Sequence, residues 1–218
     1  MSENLRELPL RERKKLRTRR ALSETALRLF TERGYDATTL DELCDLVEVS
    51  KRTFFRTYRS KEDVALAADS DLWSAYLGRT PELDAGRPLL EALRELLEST
   101  LAAMDPDWER RFLATRRLAD GVPALRAHSL GYCQDTTRAL VEAVSGEPEK
   151  TGDGGAGDGA GGSAARIRRG LTVEVFVAAW RTASSEWTAA GGRDGRAGLA
   201  RWIDAAFAEL GAVLPAGA

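Results

Sequence analysis

The spacing of apolar residues constrains this chain most, because it follows the helical period almost from end to end. Near the N-terminus, for example, Leu22, Ala26 and Leu29 recur every three or four positions and so share one helix face. No segment shows the sustained apolar–polar alternation of a half-buried strand. We therefore predict an all-α fold, with a first helix over Leu10–Arg33 that ends at Gly34.

Hydroxyl residues mark the starts of the next short helices. Thr39, followed three positions later by Glu42, fits a capping box that opens a second helix. Ser50 is the predicted N-cap of a third helix over about 51–58, and Ser60 precedes a fourth. The inward residues predicted for the second helix are Leu40, Leu43, Cys44 and Val47.

The rest of the chain also follows the helical period. Helices are predicted over 88–104, 107–119 and 123–144 from their apolar spacing. The Gly-rich segment 146–165 lacks the apolar bulk needed to offset the entropy of ordering, so we predict a flexible loop there. Two further helices follow it.

These last two helices carry apolar faces wider than one surface helix requires. The protein's own core takes part of this surface, and a four-helix bundle between two copies would cover the rest. The residues predicted for dimerisation are Val173, Val177, Trp187, Leu199, Trp202, Ile203, Ala206, Phe207 and Leu210.

Charge is unevenly distributed although the net charge is only −2. Residues 1–63 hold 15 Lys/Arg against 12 Asp/Glu, whereas the remainder holds 17 against 22. A basic N-terminal region on an acidic body favours a polyanionic partner, and a solvated basic tail is the alternative.

Several classes of protein are disfavoured by the composition. No uncharged apolar run approaches the ~18 residues of a membrane span, and the basic N-terminus lacks the apolar stretch of a secretory signal. We therefore expect a cytoplasmic protein with no membrane partner and with Cys44 and Cys133 reduced. One histidine and two scattered cysteines offer no metal site, and we expect no cofactor.

The segment 39–58 has the dimensions of a helix-turn-helix, with its turn at Glu48 and Val49. Phe54 and Tyr58 share a face that, with Val49 and Leu46 nearby, can lock the third helix to the core, whereas Phe55 points elsewhere.

The outward face of the third helix suits a nucleic acid. Arg52 and Arg56 can reach guanine edges or phosphates, and an exposed Phe55 can meet a thymine methyl group. Thr39 and Lys61 lie at helix N-termini, where backbone N–H groups favour phosphate.

Residues 17–64, RTRRALSETALRLFTERGYDATTLDELCDLVEVSKRTFFRTYRSKEDV, resemble the N-terminal domain of TetR-family bacterial regulators. The resemblance rests on LFxxxGY, on a T-T-[LIV]-x-x-[LI] helix, and on VS-x-x-T-[FL]-[FY]-x-x-[FY]-x-x-K-[ED]. It implies an all-helical, non-enzymatic homodimer that binds double-stranded operator DNA, usually as a repressor, until a small effector enters its C-terminal domain.

The resemblance also implies a division of the chain. Residues 1–63 would form the DNA-binding domain with its basic extension, and residues 64–218 the helical ligand-binding and dimerisation domain. The predicted DNA-binding residues are Arg17, Thr39, Ser50, Lys51, Arg52, Thr53, Phe55, Arg56 and Lys61.

Two positions depart from the family pattern. Glu48 stands where glycine is usual, so a positive φ there would cost on the order of 1 kcal/mol. Phe55 stands where many members have tyrosine, so its contact with DNA would be apolar rather than a hydrogen bond to phosphate.

The middle helices supply aromatic and aliphatic side chains for a pocket that would take a small, largely apolar effector. For each residue a place in the ordinary core is the alternative. The candidates are Trp73, Tyr76, Leu97, Leu101, Trp108, Phe112, Arg116, His128, Tyr132, Thr136, Phe176 and Trp180.

Two other functions compete with DNA binding. A helical enzyme would need a nucleophile–base pair, metal ligands or a phosphate loop, and the Gly run at 152–162 lacks the lysine and hydroxyl of such a loop. A helix-turn-helix that binds protein alone is less consistent with the basic tail and Lys61.

Overall fold

The computed structural model describes residues 9–84, 86–145 and 160–213, and within them it contains helices and no strand. In chain order the helices are α1 (Leu10–Arg33), α2 (Leu40–Leu46), α3 (Lys51–Thr57), α4 (Lys61–Ala65), α5 (Ala67–Gly78), a short 3₁₀ turn (Thr80–Glu82), α6 (Leu89–Ala103), α7 (Trp108–Gly121), α8 (Pro123–Ser145), α9 (Ala160–Ala189) and α10 (Gly195–Val213). The predicted all-α fold is confirmed.

The predicted caps are confirmed at each of the short helices. The hydroxyls of Thr39, Ser50 and Ser60 accept hydrogen bonds from the backbone N–H groups three residues later. Gly34 ends α1 with a φ of 94°, a conformation that favours glycine. Helix α3 ends at Thr57, because Tyr58 is extended.

The predicted loop at 146–165 stays a prediction over 146–159 and is wrong over 160–165. Residues 146–159 lie outside the described residues, whereas α9 already begins at Ala160. The alanines of 160–165 are the strongest helix formers, and they offset the cost of the glycines beside them.

Contacts group the helices into two units. The first contains the chain up to Asp71 together with Asp105–Leu130, and the second contains Leu72–Met104 together with the chain from Gly131. The functional limits of 1–63 and 64–218 are a different division, and they stay a prediction.

The core of the first unit is built on α1 and the helix-turn-helix. Leu22 and Leu29 of α1 are fully buried, as are Leu43 of α2 and Phe54 of α3. The predicted inward face of α2 is confirmed, but the inward place given to Leu46 is wrong, since its side chain is 52% exposed. Leu46 lies about 100° of helix rotation away from Val47, which packs on the core.

The second unit is organised around an aromatic cluster. Tyr76 stacks on Phe176 with ring centres 5.6 Å apart, and Trp73 meets both Phe176 and Trp180 edge-on. The Tyr76 hydroxyl donates to the Leu93 carbonyl at 3.0 Å, which satisfies its polar atom within the core.

Helix α10 approaches the preceding turn so closely that Gly198 has no room for a side chain. A Cβ atom there would lie 2.0 Å from the carbonyl oxygen of Arg193. The same carbonyl accepts a hydrogen bond from the Trp187 indole at 3.3 Å, so the backbone cannot move away freely.

None of the described helices combines the length and apolar character needed to cross a membrane.

Candidate nucleic-acid interface

The turn between α2 and α3 is held by the backbone. The N–H of Glu48 donates to Asp45 at 3.1 Å, and that of Val49 donates to Cys44 at 3.0 Å. Glu48 has a φ of 55°, in the left-handed region. The suspicion that this position requires a positive φ is therefore confirmed, and the strain falls on an exposed glutamate.

The two adjacent phenylalanines of α3 differ in burial, as predicted. Phe54 is fully buried, whereas Phe55 is 52% exposed and meets Phe54 edge-on at 5.3 Å. Tyr58 is the second anchor, because its hydroxyl donates to the Arg19 carbonyl and its ring lies under the Arg19 guanidinium at 4.9 Å. Burial raises the pKa of Tyr58 to about 12.

The remaining α3 candidates present their polar groups at the surface. Lys51, Arg52 and Arg56 are exposed, and Ser50 and Thr53 line the start of the helix. Lys51 pairs with Asp41 at 2.7 Å, and this hydrogen bond raises the pKa of the Lys51 ammonium. The ion pairs of the described residues involve neither Arg52 nor Arg56, so both guanidinium groups are available to an anion.

Thr39 and Arg17 are exposed, and the Thr39 hydroxyl is already used to cap α2. Lys61 is placed differently from a simple surface lysine. Its ammonium lies 4.1 Å from the centre of the Tyr35 ring and donates to the Tyr35 carbonyl. Desolvation there lowers the pKa of Lys61. A phosphate would have to share this ammonium with Tyr35.

A partly buried ion-pair network behind α3 could not be predicted from the sequence. Asp71 accepts from Arg19 at 3.0 Å and from Arg111 at 3.2 Å, and Arg111 also pairs with Asp105. These residues come from three distant segments, and no local motif marks them. The network fixes Arg19, and through it the Tyr58 anchor of α3.

Four of the predicted pocket residues lie in the first unit, where each has a partner. Trp108 stacks on Phe112 at 4.8 Å and donates to the Ala68 carbonyl at 2.9 Å. Arg116 reaches the buried Asp69 at 3.4 Å, and burial raises the pKa of that carboxyl. His128 lies 2.7 Å from the Asp63 carboxylate.

The other pocket candidates lie in the second unit. They include the aromatic cluster of Trp73, Tyr76, Phe176 and Trp180, and the buried side chains of Leu97, Leu101 and Thr136, while Tyr132 is half-buried. Their role in binding an effector stays a prediction.

The dimerisation candidates divide by exposure. The side chains of Val173, Val177, Trp187, Leu199 and Ile203 are buried in the core of the second unit. Trp202 is 38% exposed, and Ala206, Phe207 and Leu210 are half-buried. Trp202, Ala206 and Leu210 line an apolar groove of about 320 Å³ between α9 and α10.

Comparison with known proteins gives one family. Residues 22–68 match the family model of the bacterial regulatory proteins, tetR family. The HTH-type transcriptional regulator TcmR of Streptomyces glaucescens is 32% identical over 183 residues, which cover 82% of this chain and 76% of that protein.

A crystal structure of a TetR-family transcriptional regulator from Mesorhizobium loti MAFF303099 aligns with 91% of this chain. The alignment covers 97% of that chain, with a TM-score of 0.50 and 20% sequence identity. At this identity the likeness concerns the fold.

Proposed function

This chain belongs to the tetR family of bacterial regulatory proteins and is a transcriptional regulator rather than an enzyme, and from this premise we propose a fuller function. It binds a near-palindromic operator in the cytoplasm as a homodimer, represses transcription there, and leaves the DNA when a small effector binds. The observation that carries this proposal is the division of α3 into a buried face and a charged outer face.

The reading face consists of side chains that recognise DNA by different means. Arg52 and Arg56 lie one helical turn apart and can each hold a guanine edge or a phosphate through two hydrogen bonds. Phe55 offers an apolar surface for a thymine methyl group. Because Phe54 and Tyr58 fix the opposite face, these groups are positioned before DNA arrives.

The homodimer is supported by the apolar groove between α9 and α10. Trp202 of α10 is a large aromatic side chain left partly exposed beside small alanines. Helix α9, which forms the other wall of the groove, also carries the exposed Ile167 and Leu171 nearer its start. A second copy of the same two helices would bury this surface in a four-helix bundle. The two α3 helices of the dimer would then bind half-sites that lie one turn of DNA apart, or a whole number of turns apart.

The effector is expected to be small and largely apolar. The rings around Tyr76 and Phe176 are buried against each other and carry few polar atoms, so a ligand that opened a space among them would be of that character.

The test of DNA recognition is a double variant of the reading face. Genomic fragments bound by the protein would be selected, and affinity for the resulting operator measured by fluorescence anisotropy at fixed salt. We expect Arg52→Ala with Arg56→Ala to weaken binding at least a hundredfold, since each lost base contact costs ~1–3 kcal/mol.

The matched control is Arg28→Gln with Arg110→Gln, which removes two exposed charges from the same unit but away from α3. Equal affinity of the α3 variant and the control would remove α3 as the reading helix. Failure of the unaltered protein to retain any fragment at low salt would refute DNA binding itself.

A further inference from the structure

A basic groove lies beside α3, and its α1 residues precede the residues that match the family model. It has a volume of about 740 Å³ and runs between the first turns of α1 and the end of α3. Its lining residues are Leu10, Arg11, Glu12, Lys14, Lys15, Thr18, Arg56 and Thr57. Four cations and one carboxylate therefore face this space.

The cations of the groove form no ion pairs within the described part of the chain. Arg11, Lys14, Lys15 and Arg56 are exposed, and none of them forms an ion pair with another residue in 9–84, 86–145 or 160–213. Further along α1 the situation differs, because Arg19 pairs with Asp71 and the later arginines with nearby glutamates. Within α1, the cations without an ion pair to a described residue therefore lie toward the first turns, beside the groove.

The spacing of these cations suits a regular polyanion. Arg11, Lys14, Lys15 and Thr18 lie on one face of α1, and they span roughly 10 Å at ~1.5 Å per residue. Phosphates of one DNA strand follow each other at ~3.4 Å along the duplex axis, so this face extends over about three of them.

The position of Arg56 identifies the occupant. This residue belongs both to the reading face of α3 and to the wall of the groove. A strand whose bases are read by α3 must continue past Arg56, and the groove begins there. We propose that the first turns of α1 bind the sugar–phosphate backbone next to the half-site, through Arg11, Lys14 and Lys15.

This contact rests on the proposed DNA-binding function and adds a sequence-independent part to it. Lysine and arginine side chains that meet phosphates carry no information about bases, but they release counterions and set the register of the protein on the duplex. The groove therefore raises affinity for every DNA sequence and lengthens the protected site beyond the bases that α3 reads.

The experiment measures the salt dependence of binding for Lys14→Gln with Lys15→Gln. Anisotropy titrations over a salt series would use two probes, the selected operator and a random-sequence duplex of equal length. Each lost phosphate contact reduces the absolute slope of log K against log salt by ~0.9, so the two substitutions should reduce the absolute slope by about 1.8 per protomer. The fall should be the same on both probes, since the contact is sequence-independent.

The control is again Arg28→Gln with Arg110→Gln, which changes the net charge by the same amount but should leave both slopes within about 0.5 of the unaltered protein. Unfolding midpoints of the variants in urea would show that each remains folded.

Unaltered slopes in a folded Lys14/Lys15 variant, or a fall equal to that of the control, would overturn the proposal. If at the same time the Arg52/Arg56 variant loses the operator, the proposed function stands and only the backbone contact falls. A footprint that shortens on both flanks in the lysine variant would support it.

Discussion

Replacing Glu48 by glycine should stabilise the protein, which is unusual for a substitution beside a binding surface. Glu48 adopts a φ of 55°, and a side chain in the left-handed region costs roughly 1–2 kcal/mol. Glycine removes that cost but loses about 0.5–1 kcal/mol through the greater freedom of the unfolded chain. The glutamate is exposed and forms no ion pair with a described residue, so little else is lost. At the midpoints of these two ranges the net gain is about 0.75 kcal/mol.

Urea unfolding followed by circular dichroism would measure this gain as a higher midpoint at unchanged slope. For a chain of this size the gain corresponds to about 1–4 °C in Tm. Glu48→Ala provides the matched control, because alanine removes the same charge but keeps a Cβ atom in the left-handed region.

The comparison between the two variants shows whether backbone strain at Glu48 causes the change in stability. If strain causes the effect, Glu48→Gly is more stable than Glu48→Ala, and the alanine variant gains nothing. If the two are equally stable, the positive φ carries no measurable cost, and any change arises from the lost charge.

Two further predictions concern packing and ionisation. Gly198→Ala should destabilise the protein by about 1–3 kcal/mol, because the new Cβ would meet the Arg193 carbonyl, whereas Gly170→Ala in α9 meets nothing within 4 Å and should be neutral or stabilising in the same urea assay. Tyr58 has a pKa raised from 10.0 to about 12, so its contribution to stability is present below pH 10 and lost as pH rises through 12. As the pH rises from 9 to 12, the free energy of unfolding should therefore fall less for Tyr58→Phe than for the unaltered protein. An equal fall in the two proteins would contradict this assignment.

The sequence predicts best what short-range rules control. Hydroxyl caps at Thr39, Ser50 and Ser60 determine where helices begin, and the helical period alone separates Phe54 from Phe55. These features depend on residues within one or two helical turns, so the sequence alone is enough to predict them.

Features that depend on distant segments could not be predicted. Lys61 starts a helix and has a pattern typical of a phosphate contact, yet its ammonium lies against Tyr35, 26 positions earlier. The Arg19–Asp71–Arg111 network likewise joins three segments that no local pattern connects. A helix period indicates which face is inward, but it does not identify the partner that meets that face.

The brevity of α3 explains why its two anchors matter to DNA binding. A helix of seven residues is far below the ~12–15 residues at which an isolated helix becomes marginally stable in water. Its order must therefore come from the Ser50 cap and from the burial of Phe54 and Tyr58. Because Arg52, Phe55 and Arg56 alternate with these anchors along the same two turns, weakening an anchor disorders the reading face as well. The anchors therefore contribute to DNA binding although they contact no DNA themselves.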